Sequence, residues 1–311
     1  MDFTLDEAQE VVARVSADVL RTAAPEESWK ALGQAGMLTL AAPESVGGEG
    51  LGVLEVALVL REVGRAAALV PALPHLMTGV IPVARWGTAE QQQAMLTGER
   101  LLTATLHRAS YGDGVLNGTC RGVPFADTAY RMLVPIEHGI AVVDPALAHL
   151  ERTVTSSGGP EFTVHLTRTP VEEVWEMDVR EFEELAIAGA CALGDGFLAG
   201  ALELTTNHIR TREQFGKPLA TFQAVAGQIA DVYIASRTLH LAALSAVWRL
   251  HTGRDASSDV DIAATWLAQE AMAAMRTCHH LHGGIGLDVS YPLHRYTSMM
   301  KDLIRYVPRP V

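Results

Sequence analysis

Apolar residues recur at helical spacing from Leu5 to about Thr105, as in Leu54, Ala57 and Leu58, with Arg61 on the same face and Val63 on the next turn. That period lays one apolar stripe along an α-helix, so the first third of the chain reads as helical. From about Leu106 to Val174 the pattern shortens to β-like runs: Val115-Leu116, Met132-Leu133-Val134, Ile140-Ala141-Val142-Val143, and Phe162-Thr163-Val164-His165-Leu166. Asn117-Gly118 predicts a hairpin turn, because both residues tolerate positive φ. Ser156 to Pro160 reads as a loop, too short to be a flexible linker. From about Val179 the helical period returns in three runs: to Arg212, from Phe222 to His251, and from Asp259 to His280. In the second, Phe222, Val225, Ala226, Ile229, Val232, Tyr233 and Ser236 are expected on one face. The pattern therefore predicts a mainly α protein with a small β domain. Its parts are an N-terminal helical domain (1–105), a reduced antiparallel β domain (106–175) and a C-terminal helical bundle (176–311).

Four irregularities test this division. The Pro43 to Gly52 stretch is rich in glycine, but no Gly-Lys-Ser/Thr follows it and no strand clearly precedes it, so it reads as an inter-helix loop. Gly189, Gly196 and Gly200 lie inside the first bundle helix, where glycine costs stability unless close packing compensates. Gly194-Asp195-Gly196 lacks the strand that a dinucleotide fingerprint requires. The uncharged stretch from Ala66 to Ala84 is long enough for a membrane span, but Pro71, Pro74, His75 and Pro82 interrupt it. It is expected to form bent helical segments in a soluble core.

Composition narrows the function classes. With 311 residues, 49% hydrophobic and 19% charged, the chain can bury a large core in two or three domains. A net charge of -12 argues against a general nucleic-acid binder, which needs clustered Lys and Arg. Cys120, Cys191 and Cys278 are widely separated and fit core thiols in a reducing cytoplasm. The start, Met1 to Glu7, is acidic where a signal peptide is basic and then apolar, so nothing there directs export.

The most informative segment is Arg212-Glu213-Gln214-Phe215-Gly216-Lys217-Pro218-Leu219-Ala220-Thr221-Phe222-Gln223, set between two helical runs. A planar guanidinium can hold pyrophosphate oxygens through two parallel charge-assisted hydrogen bonds. Gly283 and Gly284, which carry no side chain, let backbone N–H groups approach a phosphate. His279, His280, His282 and His294 invite a zinc reading, but metal sites need convergent ligands with supporting carboxylates, so no metal is expected. No Glu-x-x-His and no Gly-x-Ser-x-Gly occurs, which disfavours a di-iron bundle and a serine hydrolase.

The order of regions and these motifs resemble the acyl-CoA dehydrogenase family over nearly the whole chain. The amino half contributes Trp29 to Met37, the Pro43 to Gly52 loop and Gly87 to Gln93; the carboxyl half contributes Arg212 to Gln223, His280 to Gly286 and Tyr291-Pro292. The resemblance implies an acyl-CoA dehydrogenase-like fold and a role for FAD. It assigns Arg212 to the FAD pyrophosphate, Phe215 to the adenosine, and Phe222 with Gln223 to the adenine end, with Gln214 and Leu219 as lining. The Gly283-Gly284 backbone and His280, which stands where the family usually has glutamine, complete the cofactor set.

The family's catalytic parts are harder to place. Its base usually follows the Tyr-Pro motif, yet after Glu270 there is no glutamate and Val311 ends the chain early. A minority carry the base on the long helix before the arginine; that register falls on Ala186, with Glu183 about one turn away and Glu184 facing elsewhere. The segments that hold the flavin ring are replaced by Leu106-His107-Arg108-Ala109-Ser110 and Gly122-Val123-Pro124. In this family the arginine and Gly-Gly motifs reach the FAD of a neighbouring subunit. The resemblance therefore implies a cytoplasmic, noncatalytic subunit, with no catalytic residue of its own, that shares FAD with a catalytic chain. The model for this is the α2β2 arrangement of actinobacterial steroid-CoA dehydrogenases, acting on a bulky, steroid-side-chain acyl-CoA. Two alternatives are an active homomeric enzyme with Glu183 as displaced base, and a flavin-free scaffolding protein.

Overall fold

The computed structural model describes residues 3–97 and 100–307; Met1 and the end of the chain, Val311 included, lie outside the described residues. Helix α1 (Glu7–Thr22) opens with a capping box in which Asp6 accepts from the Gln9 N–H and the Gln9 side chain accepts from the Asp6 N–H. After α2 (Ser28–Gln34), the Pro43 to Gly52 segment is a loop with one short 3₁₀ turn. Helix α3 (Val53–Arg65) follows and is buried along most of its length.

The interrupted apolar stretch is bent helix, as expected. It forms a π-helical segment, Leu73–Val80, with Pro74 in its first turn, where a missing N–H costs least; the segment runs into α4 (Ile81–Trp86), where Pro82 falls inside the continuing helix and removes one ladder donor. Helix α5 (Ala89–Leu96) closes the helical half with a Thr88–Gln91 capping box.

Eight strands follow: β1 (Leu102–Ala104), β2 (Ser110–Gly112), β3 (Val115–Pro124), β4 (Arg131–Ile136), β5 (Gly139–Val143), β6 (His149–Thr153), β7 (Glu161–Pro170) and β8 (Glu173–Trp175). They make two four-stranded sheets, ordered β1-β4-β5-β8 and β2-β3-β7-β6. All pairs are antiparallel except β1 with β4, so the antiparallel expectation fails at that edge. Here β1 arrives directly from the helical half, and Thr105 donates its N–H to the Leu133 carbonyl.

The hairpin expectation at Asn117-Gly118 is corrected. Both residues lie inside β3, next to a bulge between Leu116 and Gly118, where the Asn117 Oδ1 accepts from the Arg168 N–H. The turn is instead Asp113-Gly114, with φ of 50° and 73°, the two positive values a type I′ turn demands. Asp-Gly serves there as well as Asn-Gly, and only tertiary pairing distinguishes the two dipeptides.

The carboxyl half holds α6 (Val179–Thr211), α7 (Gln223–His251), α8 (Ser257–His282) and α9 (Leu293–Tyr306). Helix α6 alone among the described helices is long and apolar enough to cross a membrane, and 78% of its apolar window is buried inside the protein. The expected single face of α7 is corrected too. Val232 and Ser236 are buried, but Ala226 and Tyr233 are exposed, Tyr233 by 56%.

One apolar core joins the amino-terminal helices to the bundle and takes in Leu102, Leu133, Ile140 and Trp175 from the first sheet; a smaller core fills the space between the sheets. The glycines of α6 explain how α3 and α6 meet. A Cβ at Gly196 would overlap the Arg61 carbonyl oxygen, and one at Gly64 the Leu193 carbonyl oxygen, so the two backbones touch. Beside this crossing the buried Asp195 carboxylate binds the Arg61 Nε and the His240 Nδ1, both at 2.8 Å. That ties α3, α6 and α7 together.

Candidate functional site

Where α6 ends, Arg212 to Gln223 folds into a small hairpin. Strands β9 (Glu213–Gln214) and β10 (Lys217–Pro218) flank a Phe215-Gly216 turn with φ of 53° and 76°. Phe215 thus sits in the left-handed region, unusual for a bulky residue, and is 92% exposed. The Leu219 N–H donates to the Arg212 carbonyl at 2.9 Å and closes the base of the hairpin. Lys217 Nζ lies 4.4 Å from the centre of the Phe222 ring, and Phe215 meets that ring edge-on at 6.2 Å. Leu219 and Phe222 are half-buried; Arg212, Gln214 and Gln223 are exposed. Among the described residues the Arg212 guanidinium has no ion pair.

At the end of α8, the Gly283 N–H donates to the carbonyls of His279 and His280. Gly283 has φ of 63°, and a Cβ built at Gly283 or Gly284 meets no atom within 4 Å. The backbone there is open to a ligand. His280 is exposed on the last turn of α8.

The two segments belong to one corner of the molecule. The His208 and His282 rings stack at 4.4 Å with an interplanar angle of 20°. His208 is one turn before Arg212, and its carbonyl accepts the Arg212 N–H at 2.8 Å. His282 precedes Gly283. Burial first, then the Arg212 charge, lowers the His208 pKa; burial first, then His208 and His279, lowers that of His282 against the Cys278 carbonyl, which raises it. The sequence reading missed His208, although its place one helical turn before Arg212 was visible. The other histidines are engaged singly: His279 Nε2 with Thr297 Oγ1 at 2.7 Å, and His294 Nδ1 with the Tyr291 carbonyl at 2.7 Å. Among the described residues no three His, Cys, Asp or Glu side chains converge on a metal position.

The face carrying the Leu106 to Ser110 segment is built differently. An apolar cavity of about 130 Å3, lined by Leu73, Phe125, Leu193, Phe197 and Met299 among others, adjoins a second cleft of about 330 Å3 whose lining includes His107, Arg121, Thr163 and Arg305; both share Gly122, Glu161 and Tyr306. Burial, then Arg121, pushes the His107 pKa down. Glu161 is held by Arg305 at 3.3 Å, and burial raises its pKa. Glu183 is paired with Arg108 at 3.1 Å, the two side chains being 28% and 51% exposed. Ala186 is fully buried. A carboxylate already bonded to a guanidinium is poorly placed to take a proton from a carbon acid.

Comparison with known proteins agrees with the geometry. The model of the acyl-CoA dehydrogenase N-terminal domain matches residues 2–99, and that of the C-terminal domain matches residues 182–302. The chain is 41% identical to the acyl-CoA dehydrogenase FadE28 of Mycobacterium tuberculosis, over 100% of this chain and 96% of that one. Among solved structures it resembles a chain of the ChsE4-ChsE5 complex from Mycobacterium tuberculosis, with 31% identity, a TM-score of 0.89 and coverage of 97% and 94%. It also resembles a chain of the Tcur3481-Tcur3483 steroid ACAD, with 30% identity, a TM-score of 0.85 and coverage of 96% and 91%. With the fold, the arginine hairpin and the glycine turn all in place, the chain belongs to the acyl-CoA dehydrogenase family.

Proposed function

We propose that this chain is the noncatalytic subunit of a cytoplasmic, heteromeric FAD-dependent acyl-CoA dehydrogenase, an α2β2 assembly acting on a bulky, steroid-side-chain acyl-CoA. One observation carries the reading: Arg212, Phe215 and Gln223 stand exposed beside an open glycine turn, while Glu183, the nearest candidate base, is tied to Arg108. Residues present fit the adenine and pyrophosphate end of FAD. Arg212 would meet the pyrophosphate, Phe215, Phe222 and Gln223 the adenosine end with Gln214 and Leu219 beside them, and the Gly283-Gly284 backbone the phosphates. The residues at the ring segment do not fit in the same way, since charged Arg108 and Arg121 stand along it. FAD, when bound in the partner, supplies the hydride acceptor for α,β-desaturation. This chain's own groups bind and orient. That FadE28 is a similar dehydrogenase, and that two similar solved chains come from a two-component complex and a steroid ACAD, supports the heteromeric arrangement and the substrate class.

The test is purification with and without a full-length catalytic chain. Alone, the chain is expected to be colourless and inactive; co-expressed, the complex is expected to carry flavin and turn over. Stoichiometric FAD and turnover from this chain alone would refute the reading.

A further inference from the structure

Arg212 and the Gly283-Gly284 turn come from helices far apart in sequence, and a grip on one nucleotide works only if their spacing is fixed. A direct side-chain link joins their helix ends. His282 is buried, and its Nδ1 lies 2.8 Å from the Cys278 carbonyl oxygen, which can only accept, so Nδ1 carries the proton. Its Nε2 then offers a lone pair to the Tyr291 hydroxyl at 3.1 Å. With both edges bonded, the ring cannot rotate, and its face is presented to His208 at 4.4 Å. Tyr291 also leans on the same ring, centroid to centroid 5.2 Å. Through the His208 carbonyl, the stack reaches the backbone of Arg212 at 2.8 Å.

We propose that His208 and His282 are positioning residues of the nucleotide-tail grip, their stacked neutral rings holding the glycine turn of α8 at a fixed offset from the arginine hairpin of α6. The proposal rests on the tail-grip reading above. Protonation works against the stack from every side that faces it. His208 has Arg212 on its own helix and His282 opposite; His282 has His208 on α6, His279 on α8, and a phenol rather than a carboxylate in Tyr291. Two like charges at this separation would repel, and the Nε2 lone pair bonded to Tyr291 would be lost. The spacing of the grip is therefore expected to loosen below the ordinary histidine range.

The experiment follows FAD retention by the co-expressed complex during dialysis against FAD-free buffer, from neutral to acid pH. Expected for His208→Ala is about tenfold weaker retention at neutral pH, roughly 1.4 kcal/mol. His208→Phe keeps an aromatic face that cannot charge, so it is expected to restore neutral-pH retention and to move the acid-induced loss of FAD to lower pH. If His208→Ala fails to fold, the His208→Phe profile decides alone. A His208→Phe profile superimposable on the unmodified complex, or His208→Ala with unmodified retention, overturns the proposal. Arg212→Ala in the same dialysis separates the two readings: if it releases FAD while the His208 variants change nothing, the grip stands and the stack does not. If Arg212→Ala also leaves FAD in place, the tail-grip reading itself fails.

Discussion

The corner formed by Arg212, Phe215 and Gly283-Gly284 and the face around His107 and Arg108 are built to opposite plans. At the corner, the Arg212 guanidinium has no ion pair among the described residues, space is open around the glycine turn, and the His208 and His282 rings stack beneath. On the face, charged groups are abundant but neutralised, Glu183 by Arg108 and Glu161 by Arg305. Unpaired groups on a stiff support are what a binding surface for an outside ligand needs; paired groups satisfy one another and leave little chemistry over. On the function proposed above, the contrast is that of a composite site in which one half is kept for binding and the other is ordinary structure.

The largest effect is expected in the frame that both regions share. Asp195→Ala would remove the buried acceptor shared by Arg61 and His240, with Arg61 keeping Glu62 at 3.0 Å; losing two charge-assisted bonds of about 1.5–3 kcal/mol each costs about 3–5 kcal/mol. Urea denaturation should show that loss, and both regions should fail together; an unchanged midpoint would mean that α3 and α7 are held mainly by packing.

Next comes acid. His75 is buried, accepts the Leu102 N–H at its Nδ1 at 3.2 Å, and meets Trp29 edge-on at 5.4 Å; burial lowers its pKa from 6.5 to about 4. Because the folded value lies below the unfolded one, the stabilisation is complete above pH 6.5 and is lost as pH falls from 6.5 toward about 4. The loss amounts to roughly 3 kcal/mol. It should weaken the seam where the helical half hands over to β1, next to the paired face. His75→Gln should flatten that part of the pH–stability curve measured by urea titration.

Arg212→Ala sharpens the contrast directly. Charge-assisted hydrogen bonds contribute about 1.5–3 kcal/mol, so FAD retention in the complex should fall by roughly ten- to a hundredfold. Thermal stability of the isolated chain should not move, since Arg212 is exposed. The smallest effect is expected from Arg108→Ala or Glu183→Gln. An ion pair this exposed contributes about 0–1 kcal/mol, and turnover of the complex should be unchanged. Turnover abolished by Glu183→Gln with FAD still bound would reverse the assignment of the two regions and make Glu183 a base.

What could be read from sequence follows the same divide. The Arg212 to Gln223 segment stood out because its residues are neighbours in the chain and each carries its own chemistry, but its hairpin form was not legible. The long helices were legible because the 3.6-residue period runs unbroken through α6, α7 and α8. The His208–His282 stack was not, since it joins residues whose only relation is the packing of α6 on α8. The Asn117-Gly118 turn was misplaced because local preference for positive φ cannot tell which of two nearby dipeptides the sheet will use. Tyr233 was put inside because an apolar stripe does not say how much of a helix is covered; the first turns of α7 stand largely clear of the protein. The parallel pairing of β1 likewise depends on where the preceding helices leave the chain.

The crossing of α3 over α6 carries a last consequence. At Gly64 and Gly196 main chain lies against main chain, and neither surface has a rotamer through which it could yield. The gap works like a machined stop: it is set by missing atoms, so even one methyl group would wedge the halves apart. Residues on the outer surfaces can be exchanged freely by an engineer without altering that clearance, whereas no redesign of the exterior could restore it once filled.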